Sequence, residues 1–339
     1  MNLLFTGGLY ICFMTLQQLK YVIVLDQERH FAHAAEKCSV SQPGLTTQLK
    51  KLEEEIGLLI FDRSKVPLKP TSAGKEIIAM AKKVLFDVDN IREYVVSQKN
   101  TMSGTITIGT VVTLSPYLIP ICLGHMKKAA PEINFVIKES STLDLMNDLE
   151  IGEIDVALMS TPTGNPYLKE YPLFDEPFMA YLPPLHRQAA RSRFMINPKN
   201  IETLMILEEE YCYNSQLLDI CDLKKIDSMG KHTYAISTIE TLKNMVKAHH
   251  GFAILPWLSV KGESTHGDVA CLPFEDPQPV REISLVTAHS FTKKVLLEKL
   301  SKAIWDSLPK DLKNTKNYRK VRWNDSPYWQ KAVADLSSL

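Results

Sequence analysis

The chain has little of what a catalyst, an exported fold or a membrane protein needs. Its 39 basic and 39 acidic side chains cancel to a formal net charge of zero, so the overall balance does not mark a protein that coats nucleic acid or an anionic surface. No apolar run approaches the roughly 20 residues that span a bilayer, and no membrane partner is expected. The opening MNLLFTGGLYICF is apolar but has no basic start and is short for a signal peptide. Residues 1–13 therefore read as an upstream extension, with Met14 as the functional start. Without export, the six cysteines are expected in a reducing cytoplasm, where a disulfide is a regulated event. The nine histidines are dispersed, no Cys/His grouping has metal-ligand spacing, and no metal or cofactor is expected. The chain also lacks a Cys-x-x-Cys pair, a nucleotide-binding glycine loop and a Ser/His/Asp grouping at recognisable spacing. A thiol peroxidase or reductase is the enzyme alternative, and these absences argue against it.

What is present is most informative at residues 31–50, FAHAAEKCSVSQPGLTTQLK. Phe31, Ala34, Ala35 and Cys38 recur at i, i+3, i+4 and i+7, a buried helical stripe. The paired alanines leave room for a second helix to cross closely. Ser39 and Val40 make a turn, and Ser41 is a good N-cap with Pro43 in the first turn. Leu45, Leu49, Leu52 and Ile56 line the inner face of the following helix. Ser41, Gln42, Pro43, Thr46, Thr47 and Lys50 are left at its start and outer face, offering an amide, hydroxyls and a cation to base edges and phosphates. An ordinary helical hairpin with a polar face is the competing reading, and the next segment weighs against it. Lys50, Lys51, Arg63, Lys65, Lys69 and Lys75 cluster around this helix, while Glu53, Glu54 and Glu55 follow on its next turn. The positive field is local, as suits a regulator of particular sites.

Residues 58–74 read as an apolar strand, a basic proline-containing turn and a second short strand. That pattern is a wing, with Arg63, Lys65 and Lys69 as its phosphate contacts. Residues 14–72 thus form a winged helix-turn-helix that addresses a double-stranded DNA operator. The first helix is expected over Leu16 to Leu25. Thr71 or Ser72 caps a long linker helix over residues 73–98. Its Ile77, Ala81, Val84, Val88, Ile91 and Val95 alternate at four and three, a heptad seam suited to pairing two chains. Two reading helices would then address two half-sites.

Beyond a polar break at 98–103 the pattern becomes α/β over residues 104–309. Strand-like runs at 106–112, 135–139, 154–160, 178–183, 204–207, 232–237, 252–256 and 283–288 alternate with amphipathic helical stretches. Ser237 and Glu240 are read as a capping box. The length suits two lobes around a cleft, with chain crossings near Pro172–Pro177 and Pro273–Pro279. Hydroxyls such as Thr113, Ser141 and Thr142 follow strand ends or open helices. There they can meet a small ligand, or simply cap a helix. Residues 310–339 read as a solvated or weakly docked tail.

The segments SQPGLTTQLKKLEEEIG and IFDRSKVPLKPTSAG, followed by the linker helix and the two-lobed region, resemble the LysR-type transcriptional regulators from residue 14 to about 309. The resemblance implies an α/β chain of three parts: a winged helix-turn-helix, a dimerising linker helix, and an effector domain folded like periplasmic binding proteins. It also implies homodimers that pair into homotetramers, and a partner in RNA polymerase. Within the family, MSGTITIG, TLSPYLIP, PLFDEPF, LMILEEEYCYNSQLLDIC and STIETLKNMVKAHHGFAILP resemble the peroxide-responsive OxyR branch. There Cys212 and Cys221 take the places of its peroxidatic and resolving cysteines, and Thr113 and Thr142 fall where it sets hydroxyls near the peroxide. Three departures stand out. Tyr211 replaces a histidine, Asn214 replaces a nearby arginine, and Ala288 stands where another arginine is usual. Cationic neighbours raise a thiol's reactive thiolate fraction, so slower sensing is implied.

By its own surroundings the cysteine pair stays open. Cys38, Cys122 and Cys271 lie in apolar contexts and read as small buried hydrophobes. Cys212 and Cys221 flank the amphipathic YNSQLLDI, and Asn214 or Ser215 could cap it, placing Cys212 just ahead of a helix N-terminus. If the segment is helical, nine residues separate the two Cα atoms by about 13.5 Å, against the 7 Å or so that a disulfide tolerates. Bridging would then require refolding. The leading expectation is a regulator switched by hydrogen peroxide through Cys212 and Cys221. The competing one keeps the DNA binding and places a small metabolite in the inter-lobe cleft.

Overall fold

The computed structural model describes residues 14–97, 103–197, 201–207, 211–223, 236–248, 251–263, 267–313 and 318–324. The upstream extension and most of the strand expected at 232–237 lie outside the described residues. The chain divides into two compact units at about residue 95.

In the first unit, α1 (Leu16–Glu28) opens with a capping box between Thr15 and Gln18 and runs three residues past its expected end. Helix α2 (Phe31–Lys37) and α3 (Gln42–Ile56) follow. The turn between them is made as the residues suggest. Ser39 takes a left-handed φ of 55°, and the Val40 N–H donates to the Ala35 carbonyl at 3.0 Å. Ser41 caps α3 by accepting from the Gly44 N–H at 3.2 Å. Val22, Leu25, Ala34, Leu45, Leu52 and Ile60 are fully buried and form one core. The wing strands β1 (Phe61–Asp62) and β2 (Lys69–Pro70) pair antiparallel but are two residues each, and Leu58 and Leu59 are exposed rather than strand-bound. Thr71, not Ser72, caps α4 (Ser72–Ser97), accepting from the Gly74 N–H at 2.8 Å. Gly74 is required there because a Cβ would sit 1.9 Å from the Ile60 carbonyl oxygen.

The second unit is α/β, with two cores. Its first lobe contains β3 (Gly104–Val111), α5 (Ser115–Ala129), β4 (Ile133–Ser140), α6 (Thr142–Ile151) and β5 (Val156–Thr161). Its second lobe contains α7 (Tyr211–Ile220), α8 (Ile239–Lys247), β7 (Ala253–Pro256), α9 (Trp257–Val260) and β8 (Ala270–Pro273). Two long strands, β6 (Leu168–Leu182) and β9 (Gln278–Ala288), belong to both. They pair antiparallel from Leu168↔Ala288 to Pro177↔Val280, with an irregularity between Pro172 and Phe174. The expected crossing at Pro172–Pro177 thus lies within one continuous strand, whereas Pro273–Pro279 is the bend from the end of β8 into β9 and the second crossing runs along β9 itself. The sheet order is β4-β3-β5-β9-β6-β7. Helix α10 (Lys294–Ser307) returns to the first lobe's core. Two local expectations change. Residues 204–207 make only an isolated bridge, Leu204 to Phe252, and α8 is capped by Thr238, which accepts from the Thr241 N–H at 3.1 Å, not by Ser237.

The tail departs most from expectation. Tyr318–Lys320 form β10, parallel to β9, with Tyr318↔Gln278 and Lys320↔Val280 in register. The Val321 N–H donates to the Val280 carbonyl at 2.8 Å. Val321 is buried in the second lobe's core, and Trp323 is fully buried. Apolar burial at alternate positions, with charges between them, docks what the polar composition of the tail made look solvated.

Candidate functional site

Along α3 the outward residues stand as the helical period dictates. Ser41, Gln42, Pro43, Thr47 and Lys50 are exposed and Thr46 is half-buried, while Leu45, Leu49 and Leu52 face the core. Lys65 and Lys69 are exposed on the wing. Arg63 is also exposed along the wing, but its guanidinium turns toward α3. Its guanidinium meets the Glu53 carboxylate at 2.6 Å and lies 6.0 Å from the Phe31 ring centre. Glu53 is itself buried and accepts from the Ile60 N–H at 2.8 Å and the Phe61 N–H at 3.3 Å. The pair ties the reading helix to the wing, so neither residue is the purely solvent-facing charge that the sequence suggested. In the linker seam, Ala81 is buried and Ile77 packs on the first unit's core, whereas Val84, Ile91 and Val95 are exposed and Val88 is partly so.

The second cluster surrounds α7. Cys212 lies inside its first turn, not ahead of it, because the helix begins at Tyr211. Asn214 is not a cap: its Nδ2 donates to the Leu207 carbonyl at 2.7 Å. The Tyr213 hydroxyl donates to the Ile254 carbonyl, and Gln216 Nε2 donates to the Ser160 hydroxyl at 2.8 Å, joining α7 to the first lobe. Cys212 is 6% exposed and packs with Trp323, Leu143 and Met146. The last two lie on the opening turns of α6, so the thiol faces the other lobe. Cys221 follows the far end of α7 and belongs to the second lobe's core, where burial pushes its thiol up to about 12. No disulfide joins the two. The intervening residues are helical, with the Cys221 N–H still bonded to the Leu217 carbonyl at 2.9 Å, so their Cα atoms stand about 13.5 Å apart along the helix axis.

Arg281, which no pattern in the sequence had singled out, anchors the junction of the lobes. It is 2% exposed and pairs with the fully buried Glu176 at 2.8 Å. Its Nη1 donates to the Thr113 hydroxyl at 3.0 Å and its Nη2 to the Thr113 carbonyl at 3.2 Å. Glu176 also accepts from the Leu258 N–H at 2.8 Å. The cation reaches α7 electrostatically: burial raises the Tyr213 phenol's pKa, and Arg281 acts against that rise. An arginine inside the apolar run VREISLVTA was the available signal, since a charge in a buried strand needs a partner. Of the expected pocket residues, Thr113 joins Arg281. Thr142 is buried at the start of α6. Ser141 caps that helix, accepting from the Asp144 N–H at 3.2 Å. Ala288 is buried opposite Leu168 and offers no cation.

Among the described residues there is no helix long and apolar enough to cross a membrane and no His/Cys/Asp/Glu group that could hold a metal. Two family descriptions match the chain: the bacterial regulatory helix-turn-helix protein of the lysR family over residues 16–75, and the LysR substrate binding domain over residues 99–307. The hydrogen peroxide-inducible genes activator of Haemophilus influenzae is 31% identical over 87% of this chain and 97% of its own length. The DNA-binding transcriptional dual regulator OxyR of Escherichia coli K12 is 33% identical over 86% of this chain and 95% of its own. Among solved structures, a full-length OxyR variant from Pseudomonas aeruginosa shares 33% identity with a TM-score of 0.71, covering 86% of this chain and 98% of that one. These matches span the reading helix, the linker and both lobes together, and the chain belongs to the LysR family of transcriptional regulators, in its OxyR-like branch.

Proposed function

We propose that this regulator binds operator DNA through α3 and the wing and is switched by hydrogen peroxide at Cys212. The observation that carries the redox reading is the pair of cysteines at opposite ends of one buried helix, with Cys212 against the facing lobe and Cys221 in the core behind. The Cys212 thiolate attacks one peroxide oxygen, so the S–O bond forms as the O–O bond breaks and the departing hydroxide leaves as water. Cys221 then attacks the sulfenic sulfur, forming the disulfide and releasing a second water. Thr113, Thr142 and Ser141 are assigned to the effector pocket. Because the Thr113 oxygen accepts from Arg281, its own proton is left to donate to a peroxide oxygen. The segment that must refold is poised to do so. Among the described residues, the Asn214 Oδ1 and Gln216 Oε1 are buried without a hydrogen-bond partner, each a cost of about 1–3 kcal/mol to the helical state.

Mass spectrometry before and after micromolar peroxide tests the bridge, with DNA footprinting on the same samples. Cys212→Ser should abolish both responses, and Cys221→Ser should leave a sulfenic acid that oxidises further. With Tyr211, Asn214 and Ala288 in place of cationic neighbours, oxidation should be slower than in relatives that carry them. A footprint that shifts with peroxide equally in wild type and Cys212→Ser would overturn the switch and leave a metabolite-sensing regulator. On DNA the protein acts as a homodimer or homotetramer paired through the linker seam.

A further inference from the structure

Trp323 packs directly on Cys212, and the chain around it is built to keep it there. The indole is fully buried, and the partly buried Leu143 and Met146 of the facing lobe pack against the pair. Just before it, Val321 is sunk in the second lobe's core, and β10 extends the sheet at β9. Three ion pairs fasten the segment. Arg319 meets Asp219 at 2.7 Å, and Asp219 lies on α7 itself, between the two cysteines. Lys320 bridges Asp175 at 3.5 Å and Glu282, which are register partners on the two long crossing strands. The residue that covers the thiol is therefore tied both to the helix that carries the thiol and to the strands that join the lobes.

We propose that Trp323 is a specificity-determining residue of the thiol switch: it covers Cys212 so that small hydroperoxides reach the sulfur and bulky ones are held off. The proposal rests on Cys212 being the reacting thiol. A cysteine that is 6% exposed and packed by an indole can meet a two-oxygen oxidant through small local fluctuations, whereas an aryl-substituted hydroperoxide needs the indole displaced. The reaction is the same in both cases. The sulfur takes one oxygen, the O–O bond breaks, and the remainder leaves as water or as the corresponding alcohol. The Arg319–Asp219 pair makes the cover sensitive to the state of α7, because refolding that helix for bridging moves Asp219 away from Arg319.

Two measurements on the full-length protein test this. The first follows oxidation of Cys212 by hydrogen peroxide and by cumene hydroperoxide in wild type, Trp323→Ala and Trp323→Phe. Trp323→Ala should raise the rate with cumene hydroperoxide by about tenfold or more relative to the rate with hydrogen peroxide, and Trp323→Phe, which keeps an aromatic cover, should restore most of the discrimination. A residue that only supported the fold would change both rates together, and an unchanged ratio overturns the proposal. The second is alkylation of the reduced protein by N-ethylmaleimide with no oxidant present, read residue by residue. Trp323→Ala should expose Cys212 while Cys122 in the first lobe's core stays protected. Arg319→Ala should give a smaller increase at Cys212. If Trp323→Ala also exposes Cys122, the lobe has unfolded, and Trp323→Phe and Arg319→Ala then decide: wild-type alkylation of Cys212 in both overturns the proposal. Faster alkylation of Cys212 in Trp323→Ala, with no oxidation of Cys212 by either hydroperoxide, would leave the cover standing and refute the peroxide reading instead.

Discussion

Replacing Arg281 with methionine removes the cation from a place where water cannot substitute for it. Arg281 is 2% exposed and Glu176 is fully buried. The arginine makes bonds of 2.9 and 2.8 Å to that carboxylate, plus two to Thr113. In Arg281→Met, Glu176 keeps the Leu258 N–H but loses its counter-charge. Stranding one member of a buried pair costs about 3–5 kcal/mol, whereas replacing both with neutral groups of similar volume is often close to neutral. The double variant Glu176→Gln/Arg281→Met should therefore recover most of the loss. All four tryptophans lie beyond residue 95, so tryptophan fluorescence during urea unfolding reads the second unit without interference from the first. A single variant that loses less than about 1 kcal/mol, or a double variant no better than the single, would refute the assignment of this pair as a charge-balanced anchor.

On the first unit, Gln42→Ala or Thr46→Ala should weaken operator binding at particular base pairs by about 1–3 kcal/mol per lost contact, as base-substituted operators in a gel-shift would show. Lys65→Ala and Lys69→Ala should weaken all sequences alike and lower the salt slope by about one each. Arg63→Ala should additionally destabilise the winged domain, because it strips the cation from the buried Glu53. Val84→Asp with Val88→Asp puts carboxylates in the proposed linker seam and should shift sedimentation toward monomers while the second unit stays folded. The reduced protein should lose stability as pH rises above 9.0. The Cys221 thiol, raised from 9.0 to about 12 by burial, keeps its proton when folded and loses it when unfolded, so alkali favours the unfolded state. Cys221→Ser should lessen that slope in urea titrations by one thiol's share, since burial raises Cys122 and Cys271 as well.

Elements governed by local chemistry are legible in the sequence itself. The Ser41 cap, the Pro43 opening and the leucine stripe place α3 without tertiary information, and the apolar runs give most of the α/β strands. What is not legible depends on distant residues meeting. Arg281 and Glu176 are 105 positions apart, and each looks like an ordinary charge until β6 and β9 pair them in register. Glu53 reads as one of three solvent-facing acids, yet its position on α3 turns it under the wing. Residues 318–324 have too short an alternation to register as a strand. Only an existing sheet edge at β9 and an open place over Cys212 give Val321 and Trp323 somewhere to bury.

The same tertiary pairings support the proposed switching role of one short helix. Leu217 and Leu218 bury α7 in the second lobe, but Asn214 and Gln216 each satisfy one half of an amide and leave the other unmatched among the described residues. Burial of the leucines contributes about 1.5–3 kcal/mol each in favour of the helical state, and the unmatched amide oxygens oppose it by a comparable amount. A segment balanced in this way is held by outside attachments: the Gln216–Ser160 bond, the Tyr213–Ile254 bond, the Arg319–Asp219 pair and the indole over Cys212. The attachments end on β5, on β7 and on the tail, so a covalent bond between the helix ends would alter the contacts of both lobes and the tail together. On the proposed switch, a Cys212–Cys221 disulfide would turn a local equilibrium of a few kcal/mol into a rearrangement of the elements attached to α7, which is what a thiol signal must do to be felt beyond its own helix.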